Sequence, residues 1–95
     1  MGHYQISQKA LLDLEEIVNF TLKQWSQKQS KRYYDGLIKT IESISLNPRI
    51  GKPYPGPIKG IRLISYERHL IYYRVSTLDK TILVVRILHQ RMRPL

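Results

Sequence analysis

The chain contains no cysteine. That single absence excludes a disulfide scaffold, a thiol nucleophile and any thiolate metal site. Histidine is sparse as well: His3, His69 and His89 stand far apart, without the spacing of metal ligands, and the acids fall mostly on helix exteriors, so no metal and no cofactor is expected. The sequence has no GxxxxGK[ST] phosphate loop, no GxGxxG dinucleotide fingerprint and no nucleophile elbow. No run approaches the eighteen apolar residues of a membrane-spanning helix, and MGHYQISQKALLDLEE meets acids before it can build an apolar signal core. A cytoplasmic protein without a membrane partner is the expectation.

Acidic residues are the other shortage, seven against sixteen Lys and Arg, for a net charge of +9. The imbalance is local. Residues 1–47 hold six Lys/Arg and five acids, a net of +1, whereas residues 48–95 hold ten Lys/Arg against Glu67 and Asp79, a net of +8. A field concentrated in one half points to an anionic partner.

Ninety-five residues, 42% of them hydrophobic and with no linker-like stretch, make one domain spanning 1–95. HYQIS alternates like a short strand. Leu11, Leu14, Ile17, Val18 and Trp25 then recur at helical spacing, with Asp13, Glu15, Glu16 and Lys23 on other faces and Ser7 placed as the cap. SQKQ, residues 26–29, has the form of a capping box, so a second helix starts almost at once, lined by Tyr34, Leu37, Ile38, Ile41 and Ile44 and stopped by Asn47-Pro48. PRIGKPYPGPIKG carries four of the five prolines and reads as a loop. IRLIS resumes strand character, and RHLIYYRVS and TILVVRILH form a hairpin about residues 77–80. Alternation sets Arg68, Leu70, Tyr72 and Arg74 against His69, Ile71, Tyr73 and Val75, and groups Arg86 with Val84 and Leu88, His89 with Val85 and Ile87. The expected class is α+β: a helical hairpin packed on a mainly antiparallel four-stranded sheet.

The chemistry-bearing residues form a basic and aromatic set. Lys52, Lys59, Arg62, Arg68, His69, Arg74, Arg86, His89, Arg91 and Arg93 are interleaved with Tyr54, Tyr66, Tyr72 and Tyr73. Guanidinium groups fork onto phosphates, and tyrosines stack bases. In metal-free RNA cleavage the same side chains would activate the 2′-hydroxyl, stabilise the oxyanion and protonate the leaving oxygen. A plainer reading competes for individual members: one of Tyr72 and Tyr73 is core, His69 is a packed strand residue, and Arg86 pairs near the helix hairpin or reaches to water.

These residues also resemble a known group. YQISQKALLDLEEIVNFTLKQW, NPRIGKPYPGPIKGIRLISYERHLIYYRV and VRILHQRM together are similar to the ParE branch of the RelE/ParE toxin superfamily of type II toxin–antitoxin modules, from Tyr4 to Met92. The most specific parts are Gly60-x-Arg62, His69-x-Ile71-x-Tyr73-Arg74 and the Arg86-Ile-Leu-His89-x-Arg91-Met92 ending. The resemblance implies a helical hairpin against a curved antiparallel sheet, neutralised by an acidic antitoxin in a toxin–antitoxin hetero-oligomer. It also implies one of two targets: DNA gyrase for ParE-type members, the ribosome and its mRNA for RelE-type nucleases. Leu70 stands where the nucleases tend to carry an arginine, and Met92-Arg93-Pro94-Leu95 has no tyrosine, although Arg91 matches a catalytic arginine position. Many ParE relatives end in Arg-Met-Asp, and this chain departs from that ending. The expectation is therefore a gyrase-directed binding toxin contacting its target through Lys52, Lys59, Arg62, Arg74, Arg86, His89, Arg91 and Arg93. The alternative is a ribosome-dependent endoribonuclease with Arg62, His89 and Arg91 catalytic.

Overall fold

A computed structural model describes residues 2–92, 94 and 95. The chain runs β1 (Tyr4–Ile6), α1 (Gln8–Gln24), α2 (Gln27–Leu46), β2 (Lys52–Pro53), β3 (Ile61–Tyr66), β4 (His69–Val75) and β5 (Ile82–His89). Strand order is β1-β5-β4-β3-β2, with β1 parallel to β5 and every other pair antiparallel. The sheet thus has five strands where four were expected. The fifth is Lys52–Pro53, inside the proline-rich loop, pairing with Leu63 and Arg62. Proline is tolerated there because β2 is an edge strand that needs no further donor.

Short-range chemistry sets the helix ends. The Ser7 hydroxyl accepts from Ala10 N at 3.1 Å and donates to Val85 O at 2.8 Å, so one side chain caps α1 and anchors it to β5. Ser26 and Gln29 form the reciprocal capping box that starts α2 two residues after α1 ends. A buried hydroxyl pair, Thr21 and Ser30 at 2.6 Å, joins the two helices.

The buried stripes keep Leu14, Ile17, Leu37, Ile41 and Ile44 of the apolar pattern and differ from it at their edges. In α1 the inward face is Ala10, Asp13, Leu14, Ile17 and Thr21, while Leu11 is 47% exposed. In α2 it is Ser30, Tyr33, Leu37, Ile41, Ile44 and Ser45, and Tyr34 lies outside. Asp13, expected on a solvent face, is buried. Its carboxylate accepts from Arg86 Nε at 2.8 Å, Arg86 Nη2 at 2.9 Å and the backbone N–H of Ile87 at 2.9 Å.

A β-bulge makes that contact possible. Tyr72 pairs with Arg86 but Tyr73 pairs with Val84, leaving Val85 as the extra residue. Strict alternation, which would put Val84, Arg86 and Leu88 on one face, therefore fails. Val84 and Ile87 join the core under the helices, whereas Val85 and Leu88 join a second cluster on the opposite face. Arg86, at the break, is released to reach α1.

Both neighbouring tyrosines are core. Tyr73 is fully buried beneath the helices, and Tyr72, 1% exposed, centres the opposite cluster with Ile61 and Leu88. The chain covers that second face itself, with Tyr54, Leu63, Leu70, Val85 and Leu95 packed over it. Tyr54 meets Tyr72 edge to face at 5.4 Å and donates its hydroxyl proton to Leu95 O, which draws the last residue across the sheet.

Candidate functional site

The sheet has two chemically different ends. At one, β4 begins and β5 finishes, so His69 and His89 are cross-strand partners with rings 5.3 Å apart, edge to face. His69 Nδ1 lies 2.7 Å from the Tyr33 hydroxyl, which also accepts from Arg68 N at 3.2 Å. His89 Nδ1 accepts from Arg91 N at 3.1 Å, so the proton of its neutral ring sits on Nε2. Burial, and secondly the neighbouring His89, push His69 down to about 4; it is a neutral ring at physiological pH. Burial also raises the Tyr33 hydroxyl above its ordinary value, which keeps it protonated. The two histidines open onto a groove of about 660 Å³ between α1 and the end of β5, bordered by Lys9, Leu12, Glu16, Phe20 and Met92. Phe20 and Met92 are 60% and 56% exposed.

At the other end, β3 begins beside the proline-rich loop. Tyr73 pins that loop: its hydroxyl donates to Pro48 O at 2.6 Å and accepts from Gly51 N at 3.0 Å. Residue 51 must be glycine for this approach, because a Cβ there would run into the Tyr73 ring and Leu63 O. Gly60, at φ +81°, turns the chain into β3. Arg62 then lies along the loop, donating from Nε to Gly51 O at 3.0 Å and from Nη2 to Arg49 O at 3.4 Å. A cleft of about 690 Å³ opens there, bordered by Arg49, Tyr54, Arg62, Ser76 and Lys80 among others.

The eight basic candidates are thus divided. Lys52, Lys59 and Arg74 are exposed at or near the Arg62 end, with Arg74 opposite Ile61. His89 and Arg91 belong to the other end. Arg62 pairs with Tyr73 and His89 with His69, four residues apart along β4, or about 13 Å at the usual strand rise. The three residues of the nuclease alternative, Arg62, His89 and Arg91, do not converge on one reacting atom. Arg86 is engaged with Asp13 and fills the structural role that competed with target contact. Arg93 lies outside the described residues. Arg49 and Lys80 were absent from the expected set although both border the Arg62 cleft, and only the +8 balance of the C-terminal half hinted at them. Among the described residues, no three His, Asp or Glu side chains gather as a metal site would need, and no helix is long and apolar enough to cross a membrane.

Comparison with known proteins adds the family. Residues 4–94 match the model of the ParE toxin of type II toxin–antitoxin systems, parDE. The chain belongs to the ParE toxin family. Toxin ParE1 of Mycobacterium tuberculosis is 40% identical over 91 residues, 96% of this chain and 92% of that relative. Among solved structures, the chromosomal ParDE toxin–antitoxin system from P. aeruginosa superposes with a TM-score of 0.78 at 19% identity, covering 94% of this chain and 96% of the other. The RelBE2 toxin–antitoxin complex from Mycobacterium tuberculosis follows at 0.71 and 18%, covering 93% and 96%. At such identities these two likenesses speak for the fold, which ParE and RelE members share. The ParE assignment rests on the family match and on the relative at 40% identity.

Proposed function

We propose that this ParE-family protein arrests growth by binding DNA gyrase, without cleaving a bond itself, and that a cognate acidic antitoxin neutralises it in the cytoplasm. The separation of Arg62 from His89 and Arg91 carries the reading. A metal-free ribonuclease needs its base, acid and oxyanion-stabilising cation within hydrogen-bond reach of one phosphate. A binding toxin has no such requirement and can present its cations on separate surfaces. The +9 charge and the exposed apolar rim of the α1 groove suit an acidic segment that orders on binding and forms a toxin–antitoxin hetero-oligomer.

One observation favours the ribonuclease alternative, in which the partners are the ribosome and mRNA: His69, His89 and Arg91 share one end of the sheet. Macromolecular synthesis after induction separates the two. Gyrase inhibition predicts that labelled thymidine incorporation falls before labelled leucine incorporation. If leucine incorporation stops first, with cut messages, the gyrase reading is wrong.

A further inference from the structure

We propose that the cleft at the Arg62 end is a phosphodiester site that takes the backbone of duplex DNA, with Arg49 and Lys80 as contact residues beside Arg62. The choice of DNA rests on the gyrase reading; the anion site itself rests on the geometry of the cleft.

The cleft's charges are all of one sign. Arg49, Arg62 and Lys80 border it, and among the described residues no Asp or Glu does. Asp79, next to Lys80 in sequence, does not border the cleft, but its carboxylate stays charged and is held in the hairpin loop by Thr81 N at 3.0 Å and by Ser76, which does border it. Four backbone carbonyls at or beside the cleft, which would otherwise face an anion, are engaged internally. Asn47 O takes Ile50 N, Pro48 O takes the Tyr73 hydroxyl, Gly51 O takes Arg62 Nε, and Arg49 O takes Arg62 Nη2. Two bonds to the loop also immobilise Arg62, so the rest of its fork is ordered before a ligand arrives. Lys52, Lys59 and Arg74, all exposed nearby, extend the positive surface beyond one phosphate, as a polymer backbone requires.

The same geometry argues against single-stranded RNA. Sequence-tolerant binding of single strands depends on aromatic faces on which bases stack. Among the described residues, Tyr54 is the one aromatic bordering the cleft; its ring is packed edge to face with Tyr72 and its hydroxyl is bound to Leu95 O. What remains is contact with phosphates, the sequence-independent mode of duplex binding.

Fluorescence anisotropy of the purified protein with a labelled 20-base-pair DNA duplex, in 50 to 200 mM salt, tests the site without gyrase. Each phosphate contact contributes about 0.9 to the slope of log affinity against log salt. Arg49→Ala/Lys80→Ala should therefore lower that slope by about 2 and weaken binding at least tenfold at the lowest salt. Lys23→Ala/Lys28→Ala, on the exposed side of the helix hairpin, should leave both unchanged. Arg49 and Lys80 are exposed, and a circular dichroism melt matching that of the unsubstituted protein is the control for folding. An unchanged slope in the Arg49/Lys80 variant, no duplex binding, or tighter binding of a single-stranded RNA of equal length overturns the proposal. The gyrase reading fails separately: duplex binding by a protein that leaves gyrase unaffected upholds the site and sinks that reading, while gyrase poisoning without duplex binding does the reverse.

Discussion

Substituting Asp13 by Ala removes three hydrogen bonds at once and should be among the most destabilising single changes in the molecule. The Ile87 N–H would lose its partner in a buried setting, at a cost of about 1–3 kcal/mol. The charge pair with Arg86 adds about 1 kcal/mol, kept small because the Arg86 side chain is 29% exposed and partly screened by water. The total of about 2–4 kcal/mol corresponds to a Tm lower by about 10–25 °C in a domain of this size. Urea unfolding followed by the fluorescence of Trp25, which packs against Tyr33 at the helix joint, measures the loss directly. Arg86→Met should cost about 2 kcal/mol by leaving the carboxylate of buried Asp13 short of its cation. In Asp13→Ala/Arg86→Met the two losses should fall short of additivity by about 1–2 kcal/mol. Losses below about 0.5 kcal/mol in both single variants, or strict additivity, would refute the idea that Arg86 is committed to the fold, and would return it to the target-binding set.

Three further outcomes follow from the structure. His69 stays neutral in the fold down to about pH 4 but protonates near 6.5 when unfolded, so its stabilisation is complete above 6.5 and is lost as pH falls toward 4. Because the ring is only partly buried the loss is held to about 1 kcal/mol, and His69→Phe should flatten that part of the stability profile measured by urea titration at pH 7, 5.5 and 4.5. Tyr73→Phe orphans Gly51 N and Pro48 O, costing about 1–3 kcal/mol, and hydrogen exchange at Gly51 should rise more than at α1 amides. Gly36→Ala improves helix propensity yet should destabilise α2 by about 1–3 kcal/mol, since the added Cβ meets the Tyr66 ring and hydroxyl, which are held against Tyr33; a gain in Tm would contradict this packing.

The features legible in the sequence are those whose cause is local. The Ser26–Gln29 capping box, the stop at Asn47-Pro48, and the strand pair joined near 77–80 depend on neighbours a few residues away, and each stands where the spacing put it. The bulge at Val85 depends on how β4 and β5 pair, so alternation along β5 alone could not show it. Asp13 was hidden for the same reason, because a carboxylate on a helix looks solvent-facing until an arginine 73 positions later is brought to it. The strand at Lys52–Pro53 has too little length to show a pattern. In the candidate sites, residue types were readable and their convergence was not. Arg62 and His89 look like partners in a set of basic residues, and the sheet places them at opposite ends.

The most direct test of the central claim is the protein-linked linear plasmid formed by purified DNA gyrase with ATP as this protein is added. Cleaved DNA that accumulates with toxin concentration, together with lost supercoiling, is the result expected of a gyrase-binding toxin. Unaltered supercoiling and no cleaved DNA at excess folded protein would contradict the account.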